Sequence, residues 1–190
     1  MMLMNNFESI LSMIGWDESR FHSHYRHNAK DWPGLIRDPY FDEILDYVLK
    51  KEYDFSEEQE AQFKTTVIET ILNACRAANN THDKFVDLYM WVGQSGIGVY
   101  IQGAGEGFDY EAELAATLKM MSSMPENEIL YAPKSTASIV DDSHPGRAGT
   151  YCLLKYPKHY AYKIGGRDLT MKFSTLDPGT DSALEKILTE

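Results

Sequence analysis

Residues 101–114 read IQGAGEGFDYEAEL: an apolar strand end, three glycines at alternate positions, then an acidic helix start. Gly103, Gly105 and Gly107 in that rhythm call for a backbone that takes positive φ angles or lies close against something. A dinucleotide fingerprint, G-x-G-x-x-G, is not met, because its third glycine would fall at Phe108. A Walker loop is not met either, since no Gly-Lys-Ser/Thr follows. Upstream, FVDLYMWV (85–92) reads as a strand, GQSGIG turns the chain and VYIQ returns it as an antiparallel partner. Downstream, Asp109 caps a helix, YEAELAATLKMMSSM, whose Leu114, Leu118 and Met121 share a face. Met120, Met121 and Met124 read as space-filling residues.

The chain of 190 residues, 43% hydrophobic and 12% aromatic, can build a core of ordinary domain size. Its 18 basic against 29 acidic residues give a net charge of −11, which repels a phosphate backbone and argues against general nucleic-acid binding. The richest basic stretch, Lys155 to Arg167, is interleaved with Tyr156, Tyr160 and Tyr162 and allows local anion contact. Cys75 and Cys152 have no metal-ligand spacing and read as buried thiols. The start MMLMNNFESI lacks a basic signal-peptide region, and no apolar run approaches about 18 residues. A cytoplasmic protein with no membrane association is the expectation.

Elsewhere, FESILSMIGW after Asn6 predicts a capped helix. FHSHYRHNAKDWPG (21–34) shows no clean period and ends in a Pro-Gly turn. Its His22, His24 and His27 lack the cysteine or spaced carboxylate that a zinc site would add, so packing or surface histidines are expected. PYFDEILDYVLKK carries Phe41, Ile44, Leu45 and Val48 at helical spacing. Residues 125–149 are polar and turn-rich, a length of connection typical of lids and binding loops. TYCLLKYP predicts a short helix ending at Pro157, HYAYKI and DLTMKF a hairpin through Gly165-Gly166, and DSALEKIL a last helix. The expected fold is α+β, a two-layer sandwich with a mixed or antiparallel sheet and helices on one face.

The clearest helix begins at Ser56, where Gln59 completes a capping box and Glu57 and Glu58 suit the positive dipole end. It runs to about Asn79. Val67, Ile71, Ala74 and Ala78, extended by Ile68, Leu72 and Cys75, form its apolar stripe. Glu69 and Asn73, four apart and about 40° apart around the axis, lie off that stripe. They suit either a solvated face or a site with a carboxylate to position water and a carboxamide oxygen to ligate a cation.

The order of motifs adds to this. Glu69, Asn73 and Ala74 precede the hairpin. Gly105, Gly107, Phe108 and Asp109 follow it, and GRAGTYCL (146–153) opens a later helix before a closing hairpin. This order resembles the Bergerat-fold ATP-binding domain of the gyrase, Hsp90, histidine-kinase and MutL superfamily, and in particular its anti-sigma-factor serine-kinase branch. The resemblance spans about Ser56 to Phe173. It implies an ATPase domain (56–175); an N-terminal helical extension (1–55) and a C-terminal helix (176–190) are expected outside it, and the resemblance does not explain the former. It implies ATP and Mg²⁺ as cofactors, with Glu69 as general base and Asn73 as magnesium ligand. Gly103, Gly105 and Gly107 would form the loop beneath the nucleotide. Gly146 and Gly149 would line the phosphates, Arg147 would either grip a phosphate or obstruct the lid, and 125–145 would be the lid. Free N–H groups at a helix start attract anions on general grounds.

Two positions depart from the family pattern. Gly103 stands where an aspartate accepts a hydrogen bond from adenine, and Arg147 where a glycine is usual. Losing such a base contact costs about 1–3 kcal/mol. The sequence therefore leaves three readings open. The first is an ATP-binding regulatory protein or serine kinase that acts on a regulatory protein partner. The second is a degenerate, non-catalytic interaction module of the same fold. The third is an unrelated adaptor domain. A homodimer is compatible with each.

Overall fold

The computed structural model describes residues 8–50, 55–78, 83–105, 110–131, 148–157, 159–163 and 168–173. The expected helix DSALEKIL, most of the lid segment and the Gly165-Gly166 turn lie outside them. The described chain is an α+β sandwich, as expected. Its sheet runs in the order β1 (His22–Asn28), β2 (Phe85–Val92), β3 (Ile97–Gln102), β5 (Asp168–Phe173), β4 (His159–Lys163), with every neighbouring pair antiparallel.

Alternation along the strands creates two unlike faces. Val86, Leu88, Met90 and Val92 of β2, Ile97, Val99 and Ile101 of β3, and Leu169, Met171 and Phe173 of β5 are buried beneath the helical layer. Onto them pack α2 (Trp32–Ile36), α3 (Pro39–Leu49), α4 (Glu57–Ala77) and α7 (Ala148–Lys155), with α5 (Tyr110–Met121) and α6 (Glu126–Tyr131) beside α7. Trp32 is locked by an Nε1–H bond to the Val86 carbonyl (2.9 Å). The Asp38 carboxylate caps α3 by accepting from the Tyr40 N–H (2.9 Å), and Lys64 ties α3 to α4 through Asp42 (2.9 Å) and Asp46 (2.7 Å).

The capping box at Ser56 is present in both directions. The buried stripe of α4 is Phe63, Thr66, Val67, Thr70, Ile71 and Cys75, and so includes two threonines. Their hydroxyls donate to carbonyls one turn back, Thr66 to Gln62 (2.7 Å) and Thr70 to Thr66 (2.8 Å), which satisfies them inside the core.

The other sheet face is covered in part by α1 (Glu8–Ile14), whose Ile10 and Ile14 are buried against Trp91 and Tyr100. Gly98 leaves them room, since a Cβ there would sit 3.0 Å from both isoleucines. The helix ends at Gly15 (φ +62°), with Trp16 N–H reaching back to the Leu11 carbonyl (3.0 Å). The β2–β3 turn then closes on its last carbonyls: Ser95 N–H donates to Ile14 (3.0 Å), Ser95 Oγ–H to Met13 (3.0 Å) and Gln94 N–H to Gly15 (3.3 Å).

The sequence from Phe21 to Gly34, which showed no readable period, supplies β1. The segment expected as a helical extension thus contributes an edge strand to the sheet as well as α1 to α3. Among the described residues, no helix is long and apolar enough to cross a membrane.

Candidate functional site

The second half of α4 organises the region. Glu69 and Asn73, both half-buried, lie on the side that α7 covers, and α4 with α7 is the most extensively packed helix pair among the described residues. The meeting point is Gly149, in the first turn of α7. A Cβ there would sit 2.0 Å from the Asn73 Nδ2 and 3.4 Å from the Glu69 carbonyl oxygen. A side chain at 149 would have to displace the Asn73 amide, which here lies against the bare backbone at the start of α7. One turn further, Gly105 lies against the end of α4, where a Cβ would be 2.5 Å from the Ala77 carbonyl oxygen.

Three sequence motifs are thereby brought onto one helix: the Glu69/Asn73 pair, the start of the glycine loop at Gly105, and the glycine that opens α7. Gly103 is half-buried at the end of β3. Gly107, Gly146 and Arg147 lie outside the described residues.

Arg76 is the residue that sequence reasoning passed over. Its Nη1–H donates to the Asn73 Oδ1 (2.7 Å), and its Nη2 is buried without a hydrogen-bond partner among the described residues. The Glu69 Oε2 is likewise buried and unpartnered among them. A buried donor and a buried acceptor thus lie open on one face of α4 among the described residues. The signal was available in sequence as the i, i+3 spacing of Asn73 and Arg76.

The two cysteines behave as expected of buried thiols. Burial pushes Cys75 up to about 12, and burial, reinforced by the Glu69 and Glu126 carboxylates, pushes Cys152 up to about 12 as well. Neither suits a nucleophile at neutral pH. Lys155, at the end of α7, donates to the Tyr151 hydroxyl (2.9 Å) and pairs with Glu126 (3.3 Å), which joins α6 to α7. The Tyr151 contact, with the charges around it, holds its ammonium above the ordinary lysine range.

No cluster of three or more histidine, cysteine, aspartate or glutamate side chains forms a metal site among the described residues. Magnesium is commonly held by one or two protein oxygens with phosphates and water completing the shell. Asn73 Oδ1 is an oxygen of that kind, but here it accepts from Arg76, so a cation would have to displace the guanidinium. A scan against protein-family models matches none, and no curated protein matches the chain.

Proposed function

We propose that this chain is a cytoplasmic ATP-binding regulatory protein that acts on a protein partner, in the manner of the anti-sigma-factor serine kinases its motif order resembles. The observation that carries this reading is the convergence of Gly105 and Gly149 on the α4 segment bearing Glu69, Asn73 and Arg76. In this reading the N–H groups that open α7 and the Arg76 guanidinium hold the phosphates. Asn73 would turn its Oδ1 from Arg76 to Mg²⁺. Bound Mg-ATP would supply the γ-phosphoryl group and neutralise its charge. Glu69 would accept the proton of an attacking hydroxyl or water.

Thermal unfolding with and without Mg-ATP tests the reading. Ligand at a hundred times its Kd adds about 2.7 kcal/mol of stability, so a raised melting temperature is expected, and its absence at millimolar nucleotide overturns nucleotide binding. Glu69→Ala is expected to keep that shift and lose turnover.

A second reading, an interaction module of the same fold without nucleotide, is favoured by two features. Gly103 has no side chain for adenine, and Asn73 Oδ1 is engaged by Arg76. Gly103→Asp discriminates: a melting shift that appears only in this variant marks an intact pocket lacking its base contact.

A further inference from the structure

Strand β1 closes one edge of the sheet, and its hydrogen-bond pattern fixes which backbone groups it leaves over. Val92 N–H donates to the Phe21 carbonyl and Ala29 N–H to the Lys84 carbonyl, so the odd-numbered residues of β1 are the ones bonded to β2. In an antiparallel pair the alternate residues then turn their N–H and C=O outward. These are His22, His24 and Arg26, all exposed, and Asn28, whose carbonyl accepts from the Asp31 N–H; among the described residues no strand pairs with them. An edge of this length without proline or bulge is a template for another strand.

Side chains flank this edge on both faces. On the face shared with α1, Arg26 is 56% and His24 40% exposed. His24 Nε2 lies 2.7 Å from Asp87, whose carboxylate is almost fully buried, and the His24 ring stacks on Tyr89 at 4.0 Å and 3°. Arg26 reaches the same carboxylate at 3.3 Å and lies over the Phe85 ring. On the helical side stand two of the most exposed large side chains, Tyr40 (68%) and Tyr47 (53%). Tyr47 packs edge-on to Phe21. Arginine and tyrosine around an unpaired edge are the residue types that carry binding energy in interfaces.

Charge selects the occupant. From Arg20 to Lys30 the chain holds Arg20, Arg26, Lys30 and three histidines and no acidic residue, within a protein of net charge −11. We propose that β1 is a docking edge for an extended acidic segment of a partner protein, added as a sixth strand. Its acidic residues lie beside His22, His24 and Arg26, and the alternating apolar residues lie toward Tyr25, Tyr40 and Tyr47. A second copy fits less well, because β1 offers no acidic residue to set against Arg26. The proposal is independent of nucleotide binding.

The probe is a short fluorescein-labelled peptide alternating Glu and Val, compared with its Lys-Val counterpart by fluorescence anisotropy. Saturable binding at least about tenfold tighter for the acidic peptide is expected. A loss of at least about tenfold is expected with Arg26→Glu, with Tyr47→Ser and with His22→Pro, which removes an outward N–H together with the imidazole that lies edge-on to Trp16. Circular dichroism and melting curves identify which variants remain folded. Amide exchange by NMR gives the second readout: the His22, His24 and Arg26 amides exchange fast in the free protein and slow with peptide. Equal binding of the two peptides, or no binding, overturns the proposal. So does protection of those amides in the free protein: if it rises with concentration a second copy holds the edge, and if it does not, the chain covers its own edge.

Discussion

The two faces of the sheet solve different problems with the same strands. On the helical side an apolar layer covers the strands, and the two buried threonines of α4, Thr66 and Thr70, are satisfied within their own helix. The other side is a patchwork. One short helix covers Trp91 and Tyr100, and beside it a buried Asp87 is held by two half-exposed cationic or titratable partners. The first face builds stability from area, and the second depends on a few specific contacts.

Substitution on the helical side is expected to cost most. Phe63 is fully buried and edge-on to Phe173 at 4.8 Å, so Phe63→Ala should lower stability by about 3–5 kcal/mol in denaturant unfolding. A loss below about 1 kcal/mol would mean that this layer is no better packed than the other face. Gly93→Ala tests the α1 side. Its Cβ would sit 2.1 Å from the Ile14 carbonyl oxygen, so α1 must lift away. The expected cost is about 3 kcal/mol, the burial of two isoleucines. Amide exchange should become fast in α1 while β2 and β3 stay protected; uniform loss of protection would show the two faces to be one cooperative unit.

Asp87→Asn should cost about 1–2 kcal/mol, since an amide keeps the shape and weakens two charge-assisted bonds. Chemical denaturation and the NMR shifts of the His24 ring would report it. An unchanged His24 resonance would remove Asp87 from that face's design. The thiols contribute the smallest effect at neutral pH. Both are raised in the folded state from about 9 to about 12, so their stabilisation is complete below about pH 9 and is lost as pH rises through about 12. Ellman's reagent at pH 8 should therefore react with Cys75 and Cys152 only on unfolding. Rapid reaction of the native protein would show that the α4–α7 region opens readily.

The same contrast explains what the sequence disclosed. The capping box at Ser56, the strand at 85–92 with the turn after it, and the short helix carrying TYCLLK are local patterns, and each forms where it was read. β1 was illegible because an edge strand with one row in solvent needs little apolar content: HSHYRHN offers only Tyr25 to the core cluster. Thr66 and Thr70 broke the expected stripe because their burial depends on back-bonding, which composition does not display. At the candidate site, Glu69 and Asn73 were legible from spacing. That Gly149 touches Asn73 is a fact of helix packing between segments some seventy residues apart, whereas the Arg76 bond to the Asn73 oxygen is local to α4 and was passed over.

The clasp of the β2–β3 turn on α1 sets an order of events. A seven-residue helix has too few internal bonds to persist alone in water, and its terminal carbonyls find donors in Gln94 and Ser95, some eighty positions along the chain. During synthesis the N-terminal segment must wait for the hairpin before it can hold its shape. Helix α1 therefore gains its C-terminal hydrogen-bond partners only once the β2–β3 turn has been made.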